Sequence, residues 1–161
     1  MRRSNAGAQK VTPIVTARLV LAPVTRDLAE AVVAGRLLGL SPGAGWPHAD
    51  TADAMTLALG PDAGPSWVIT VGGLVVGDCG AFAWPDESGV VEIGYGLAEP
   101  FRGRGYATEA VAGVCQWLFG EAGAAVIIAT GVEASNAASQ RVLEKLGFAR
   151  TGDSFRLALT R

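Results

Sequence analysis

The run Val90-Val91-Glu92-Ile93-Gly94-Tyr95-Gly96-Leu97-Ala98-Glu99-Pro100-Phe101-Arg102-Gly103-Arg104-Gly105-Tyr106-Ala107-Thr108-Glu109 holds most of the chemistry legible in the chain. A strand runs into a glycine-rich turn and then into a helix. Glycines at 103 and 105 let main-chain N–H groups close on a ligand. The first N–H groups of the helix have no intrahelical partner, and the helix dipole adds about half a positive charge there. Together these make an anion site suited to a pyrophosphate. The same residues also read as an ordinary glycine-rich turn with a surface arginine pair. Positions 103, 105 and 108 are Gly, Gly and Thr, so the GxGxxG dinucleotide fingerprint is absent, and no Gly-Lys-Ser/Thr follows to make a Walker loop.

The elements that must position this turn follow from periodicity and punctuation. Arg18 to Val24 reads as a strand, with Pro23 near its end. Thr25 to Leu38 places Leu28, Ala31, Val32 and Leu38 at helical spacing. Ser41 to Pro47 is a loop ending near Trp46, Asp50 is placed to cap a short helix to about Leu59, and Pro61 to Pro65 is another loop. Ser66 to Val71, Gly72-Gly73 and Leu74 to Trp84 form a β-hairpin pattern. A tight turn at Asp86 to Gly89 leads to the strand Val90 to Leu97. A helix from about Gly105 to Phe119 carries the stripe Ala107, Ala110, Val111, Val114 and Leu118. Ala125 to Val132 is a strand. Ser135 or Asn136 caps a helix that stops at Gly147, and Phe148 to Gly152 pairs with Ser154 to Leu159. The order predicts a mixed α/β fold with the sheet as its spine.

Composition narrows the function. The 161 residues suit one domain. Residues 1–15 read as a loose tail and 16–161 as the folded unit. Thirteen Lys and Arg against 15 Asp and Glu leave a net charge of −2, so there is no basic excess for a nucleic-acid backbone or an anionic membrane. Met1-Arg2-Arg3 is followed by no apolar core of a signal peptide. The stretch from Glu109 to Glu133 has only Glu121 as a charge, but Gly120 and Gly123 break it into helix, turn and strand. Cys79 and Cys115 have no CxxC spacing and read as reduced, buried thiols of a cytoplasmic protein. One histidine, His48, leaves no Cys/His zinc set; it reads as a surface-loop residue, with lining of a substrate cleft as the alternative.

Taken together, these residues resemble the GNAT superfamily of N-acetyltransferases. Arg102-Gly103-Arg104-Gly105-Tyr106-Ala107 fits that family's Arg/Gln-x-x-Gly-x-Gly/Ala acetyl-CoA signature. Asn136-Ala137-Ala138-Ser139, followed by Lys145-Leu146-Gly147-Phe148, is similar to an element of its ribosomal-protein N-terminal acetyltransferase-like (RimJ/RimL-type) branch. Glu92-Ile93-Gly94-Tyr95, Tyr106-Ala107-Thr108-Glu109-Ala110 and the opening Thr16 to Pro23 match the same branch. The resemblance spans about residues 16–161. It implies a GNAT fold: a mostly antiparallel twisted sheet, splayed at the acetyl-CoA site and flanked by helices. Four departures stand out. Ala17 and Ala22 replace a usual Glu and Arg, Gly96 replaces a usual bulky residue, the C-terminal hairpin is short, and Leu143 stands where many relatives have a tyrosine acid.

The resemblance also implies roles. Backbone N–H groups from Arg102, Gly103, Arg104, Gly105, Tyr106, Ala107 and Thr108 hold the CoA pyrophosphate, with the arginines adding charge. Tyr95, Gly96 and Leu97 pair with the pantetheine arm as a short added strand and polarise the thioester carbonyl, and Asn136 contacts the pantetheine amides. Arg141 and Lys145 can reach the 3′-phosphate or simply form a solvated face. Glu92 is the candidate base, directly or through water, unless it is only a solvated carboxylate. Ser139 is the remaining candidate acid for the leaving thiolate, unless it is only a backbone-bonded helix serine. The implied reaction is direct attack of a primary amine on acetyl-CoA in a ternary complex, without a metal. A protein N-terminus is the favoured acceptor and a small amine the next. The protein is expected as a monomer or homodimer. A non-catalytic acyl-CoA-binding module on the same scaffold is the rival reading.

Overall fold

The structure is a computed structural model that describes residues 10–159. Its strands are β1 (Ile14–Val15), β2 (Val20–Pro23), β3 (Ser41–Pro42), β4 (Ser66–Val71), β5 (Leu74–Ala81), β6 (Val90–Leu97), β7 (Val126–Ala129), β8 (Ala149–Thr151) and β9 (Ser154–Ala158). The helices are α1 (Arg26–Val33), α2 (Thr51–Ala58), α3 (Tyr106–Gly120) and α4 (Ala137–Lys145), with a 3₁₀ turn at Glu99–Phe101. The sheet runs β1-β2-β4-β5-β6-β7-β9-β8, with β3 beside β5. Among the described residues only the β6–β7 and β3–β5 pairings are parallel. This is the mixed α/β, mostly antiparallel sheet that the sequence implies.

Period-2 alternation splits the core between the two faces. On one face Trp67 and Ile69 of β4 and Val91 and Ile93 of β6 pack with Ala110, Val111, Val114 and Leu118 of α3. On the other, Val68 and Val75 pack with Leu28 and Val32 of α1, Met55 of α2 and Trp46. Each fully buried side chain of this size contributes roughly 1.5–3 kcal/mol.

Local signals place most boundaries. Gly72 and Gly73 both have positive φ, as the two-residue hairpin turn needs. Thr25 caps α1 through its side chain, and Gly147 at φ 90° ends α4. Helix α1 stops at Val33 rather than at Leu38, because Gly35 takes a left-handed φ of 79° and Arg36 N–H turns back to Ala31 O. Asp50 begins α2 without a side-chain cap bond.

The expected tail needs a different boundary. Residues 1–9 lie outside the described part, but 10–15 are folded onto the body. Ile14 pairs with Leu21, and Thr12 accepts from the indoles of both Trp67 and Trp117, at 2.9 and 2.8 Å. A polar run looks loose in sequence, but two buried indole N–H groups need acceptors and Thr12 supplies them.

The feature that matters for function is where β6 and β7 part. They pair only over Val90 to Glu92 against Val126 to Ile128. Beyond that point β6 stays bonded to β5 alone, through Leu97. A wedge therefore opens beside residues 95–97, with the N-termini of α3 and α4 on its rim.

Candidate active site

Two cavities meet at this wedge. The first, about 580 Å³, runs between the end of β6, the turn before α3 and the start of α4. Its walls include Tyr95, Gly96, Leu97, Arg102, Gly103, Gly105, Tyr106, Ala107, Thr108, Asn136 and Ser139. Of the predicted cofactor residues only Arg104 is not on the wall. Arg141 and Lys145 also line it, so with Arg102 three cations face the cleft. The turn takes the conformation its glycines allow: φ is 76° at Gly103 and 81° at Gly105, and Gly105 is the N-cap of α3. Glu109 N–H is the first to bond back, to Gly105 O, so the preceding N–H groups of the first turn are free for an anion.

A brace that the sequence did not reveal holds this turn. Arg18 donates from Nη1 to Arg104 O at 2.9 Å and from Nε to Glu109 Oε1 at 2.8 Å. Its guanidinium lies 4.7 Å from the centre of the Tyr106 ring. Glu109 Oε2 also accepts from Arg18 N–H and from the Thr16 hydroxyl. Burial pushes the Glu109 carboxyl up, but the hydrogen bonds from Thr16 and Arg18 outweigh it, and the net pKa is lowered. The brace is therefore complete above the ordinary carboxylate range and fails as pH falls through the lowered value. Arg18 is half-exposed, so the brace is worth about 1 kcal/mol after solvent screening. Arg18→Ala is expected to raise the KM for the CoA substrate about fivefold, with kcat little changed. Steady-state kinetics with the donor varied checks this.

Asn136 and Ser139 come together as a cap: Asn136 Oδ1 accepts from Ser139 N–H at 3.1 Å. The Ser139 hydroxyl lies 2.7 Å from the Tyr95 hydroxyl. Burial, the largest effect, raises the Tyr95 pKa above its ordinary 10, against the lowering effect of the Ser139 hydrogen bond, so the phenol keeps its proton at neutral pH. Sequence reading placed Tyr95 here for its peptide group; the side-chain pair is an addition made by the fold. Leu143 is fully buried in the core.

The second cavity, about 320 Å³, lies on the opposite side of the Tyr95–Gly96 junction. Tyr95, Gly96 and Asp50 line both cavities. Met55, Leu57, Ala58 and Phe82 give it apolar walls, and Asp50, Asp53 and Asp78 give it carboxylates. Leu57 and Phe82 are exposed, so an apolar rim is open to a ligand.

His48 lines this cavity rather than the outer surface. Its side chain is 10% exposed, and Nε2 stands 3.2 Å from Asp78 Oδ2, without the alignment of a regular hydrogen bond. Its Nδ1 accepts from Asp50 N–H at 3.2 Å. The contact with Asp78 raises the His48 pKa above the ordinary 6.5; burial opposes this, and the charges of Asp78 and Asp50 add to it. Asp78 also accepts from Trp46 Nε1 at 3.0 Å and from the Thr51 hydroxyl at 2.9 Å. Trp46 thus anchors its loop. Sequence reading did not single out Asp78, although a lone carboxylate inside the apolar strand Leu74 to Ala81 is itself a signal, since buried charges need partners.

Glu92 shares the face of Gly94 and Gly96 but lines neither cavity. Its Oε2 accepts from the Thr130 hydroxyl at 2.8 Å, and Phe82 covers the intervening Gly94. Cys79 and Cys115 are free and buried. Burial raises both thiols, Cys115 to about 12, so neither is a nucleophile at neutral pH. Among the described residues, no helix is long and apolar enough to cross a membrane.

Comparison with known proteins agrees with this layout. A protein of Bacillus subtilis (strain 168), known as "Uncharacterized N-acetyltransferase YjdG", is 32% identical over 120 residues, covering 69% of this chain and 71% of its own. The structure of Mycobacterium smegmatis RimJ in complex with CoA-disulfide superposes with a TM-score of 0.64 at 25% identity, covering 93% of this chain and 86% of its own. An acetyltransferase (GNAT family) from Bacillus anthracis gives 0.64 at 22% identity, covering 92% and 98%. Residues 18–149 match the family described as "Acetyltransferase (GNAT) domain", a span that holds both cavities and the wedge between them, and the chain belongs to that family of N-acetyltransferases.

Proposed function

We propose that the protein transfers an acetyl group from acetyl-CoA to a primary amine, a protein N-terminal α-amine first and a small-molecule amine second. The observation that carries this is the junction. An anion-binding cleft with three cations and a carboxylate-lined cavity share one wall, at Asp50, Tyr95 and Gly96. The pyrophosphate sits on the N–H groups of residues 103–108, since Arg102 N–H is already bonded to Glu99 O, with Arg102, Arg141 and Lys145 on the cleft wall supplying charge. Pantetheine lies along residues 95–97, where β6 has no partner on the side of β7, and reaches Asn136. Asp50 and Asp53 draw a cationic amine inward. The RimJ neighbour, solved with a CoA-disulfide, supports the donor, and the N-terminal acetyltransferase-like motifs support the acceptor.

In the reaction the amine nitrogen attacks the thioester carbon, the carbon–sulfur bond breaks, and the thiolate takes a proton from the Ser139 hydroxyl. The Tyr95 hydroxyl at 2.7 Å is placed to return that proton, and solvent in the open cleft then restores the proton of the phenol. The amine sheds its own proton to Glu92 through water, because that carboxylate stands outside both cavities. An N-terminal amine has a pKa of about 7.7–8.0, so roughly a tenth to a sixth is already free at pH 7, and this base is the lesser need. Ser139→Ala is therefore expected to lower kcat about a hundredfold, and Glu92→Gln about threefold at pH 7, by the same limit on the base.

The test is thiol release from acetyl-CoA with a panel of N-terminal peptides and small amines, run on wild type and both variants. Coenzyme A binding without turnover on any amine favours the rival binding module. Turnover unchanged in Ser139→Ala removes the acid.

A further inference from the structure

Gly94 and Gly96 leave one face of β6 bare, and two side chains from other elements fill the space. A Cβ on Gly94 would lie 2.8 Å from Phe82 Cζ, but Phe82 is exposed and free to swing away. A Cβ on Gly96 would lie 3.0 Å from His48 Cε1 and 3.1 Å from His48 Nε2. The His48 ring has no such freedom. Asp78 faces one ring nitrogen, and Asp50 N–H binds the other. The backbone N–H of His48 is fixed to the Thr51 hydroxyl at 3.1 Å, and that hydroxyl is itself bonded to Asp78. A buried carboxylate from β5 thus locks an imidazole onto the one bare position of β6 that both cavities share.

That position is where transfer takes place. An amine in the smaller cavity reaches the carbonyl carbon of a donor in the larger one across the residues that line both, Asp50, Tyr95 and Gly96. His48 lines the smaller cavity and not the larger. Its ring covers Gly96 from the side of the smaller cavity.

We infer that His48, seated on Gly96 and positioned by Asp78, limits the acyl group to acetyl, doing from a loop what a side chain on β6 would otherwise do. A two-carbon acyl group ends short of the ring, and a longer chain runs into it. The inference rests on the acyl-transfer reading above and adds to it the donor's size limit.

The test measures acetyl-, propionyl- and butyryl-CoA on the full chain, both by turnover with an accepted amine and by calorimetric binding. Wild type is expected to prefer acetyl over butyryl by roughly tenfold or more, the discrimination one or two misfitted methylenes give in a closed pocket. His48→Ala narrows that preference at least tenfold while affinity for free coenzyme A stays within twofold. Asp78→Asn, which loosens the ring without removing it, gives an intermediate ratio. Gly96→Ala, with His48 in place, loses at least tenfold in acetyl transfer, and adding His48→Ala to it restores most of the loss. If His48→Ala does not fold by circular dichroism, the shorter but still polar His48→Asn replaces it.

An acyl preference unchanged in a folded His48 variant overturns the inference, as does a Gly96→Ala protein as active as wild type. The binding ratios decide the matter even without turnover. Absence of turnover on every amine removes the transferase reading instead, so the two failures are distinct.

Discussion

Asp78→Ala is expected to lower the unfolding free energy by about 3–5 kcal/mol, the usual cost of removing one partner from a buried charged pair. Asp78 is 6% exposed. Its loss leaves the Trp46 indole N–H and the Thr51 hydroxyl without their acceptor and the His48 ring without its counter-charge. The loop from 43 to 51 and the start of α2 are pinned through those contacts, so the damage reaches the wall of the smaller cavity. With a urea m-value of about 2 kcal/mol/M for a small domain, the midpoint falls by about 2 M. Asp78→Asn keeps one oxygen for the indole and the hydroxyl, and about 1–3 kcal/mol is expected for it. Urea titrations followed by tryptophan fluorescence measure both. A midpoint for Asp78→Ala within 0.5 M of wild type, roughly 1 kcal/mol, contradicts the assignment of Asp78 as the anchor.

The same pair gives stability a pH signature. Because the folded-state pKa of His48 is raised, its contribution is fully present below pH 6.5 and is lost as pH rises through the higher folded value. The difference in urea midpoint between wild type and Asp78→Asn is expected to shrink between pH 6 and pH 8.5. The groups setting this are Asp78 and Asp50, which raise the pKa, and Arg102, which lowers it. A difference that grows with pH would falsify the assignment.

The second large effect is expected at Gly105→Val. The φ of 81° at this helix N-cap is one a β-branched residue adopts only under strain. A Cβ there would also stand 3.2 Å from Arg18 Nη2, against the brace on the turn. If this turn holds the donor as proposed, strain of about 1–3 kcal/mol in it weakens donor binding by roughly one to two orders of magnitude. The KM for acetyl-CoA and the calorimetric Kd for coenzyme A are expected to rise together, with kcat changed far less. Gly120→Ala, at the other end of α3 with open space around it, is the control and is expected to bind coenzyme A as wild type does. Coenzyme A affinity retained in Gly105→Val would remove the turn from the donor site.

The sequence was most informative where the deciding interactions are local. Gly103 and Gly105 state their own positive φ, Asn136 sits three residues before the N–H it caps, and Gly72-Gly73 makes its hairpin with its immediate neighbours. These features put the glycine turn before α3, the α4 cap and the order of the longer strands and helices on the page before any coordinates, but not the two-residue strands β1 and β3. The same locality misled at 10–15, where the acceptors needed by Trp67 and Trp117 come from Thr12, far away along the chain.

The rest was decided by tertiary structure. Tyr95 and Ser139 are 44 residues apart, Trp46 and Asp78 are 32 apart, and Arg18 and Arg104 are 86 apart; no spacing rule announces such pairs. Gly96 shows only that a side chain is missing from β6. That His48 fills the gap depends on a loop folding back over the sheet and on a buried carboxylate holding it there. Backbone conformation and helix ends are set by a few neighbouring residues, so the chain alone specifies them. Which side chains share a cavity wall is set by packing between distant segments, and only the folded molecule decides it.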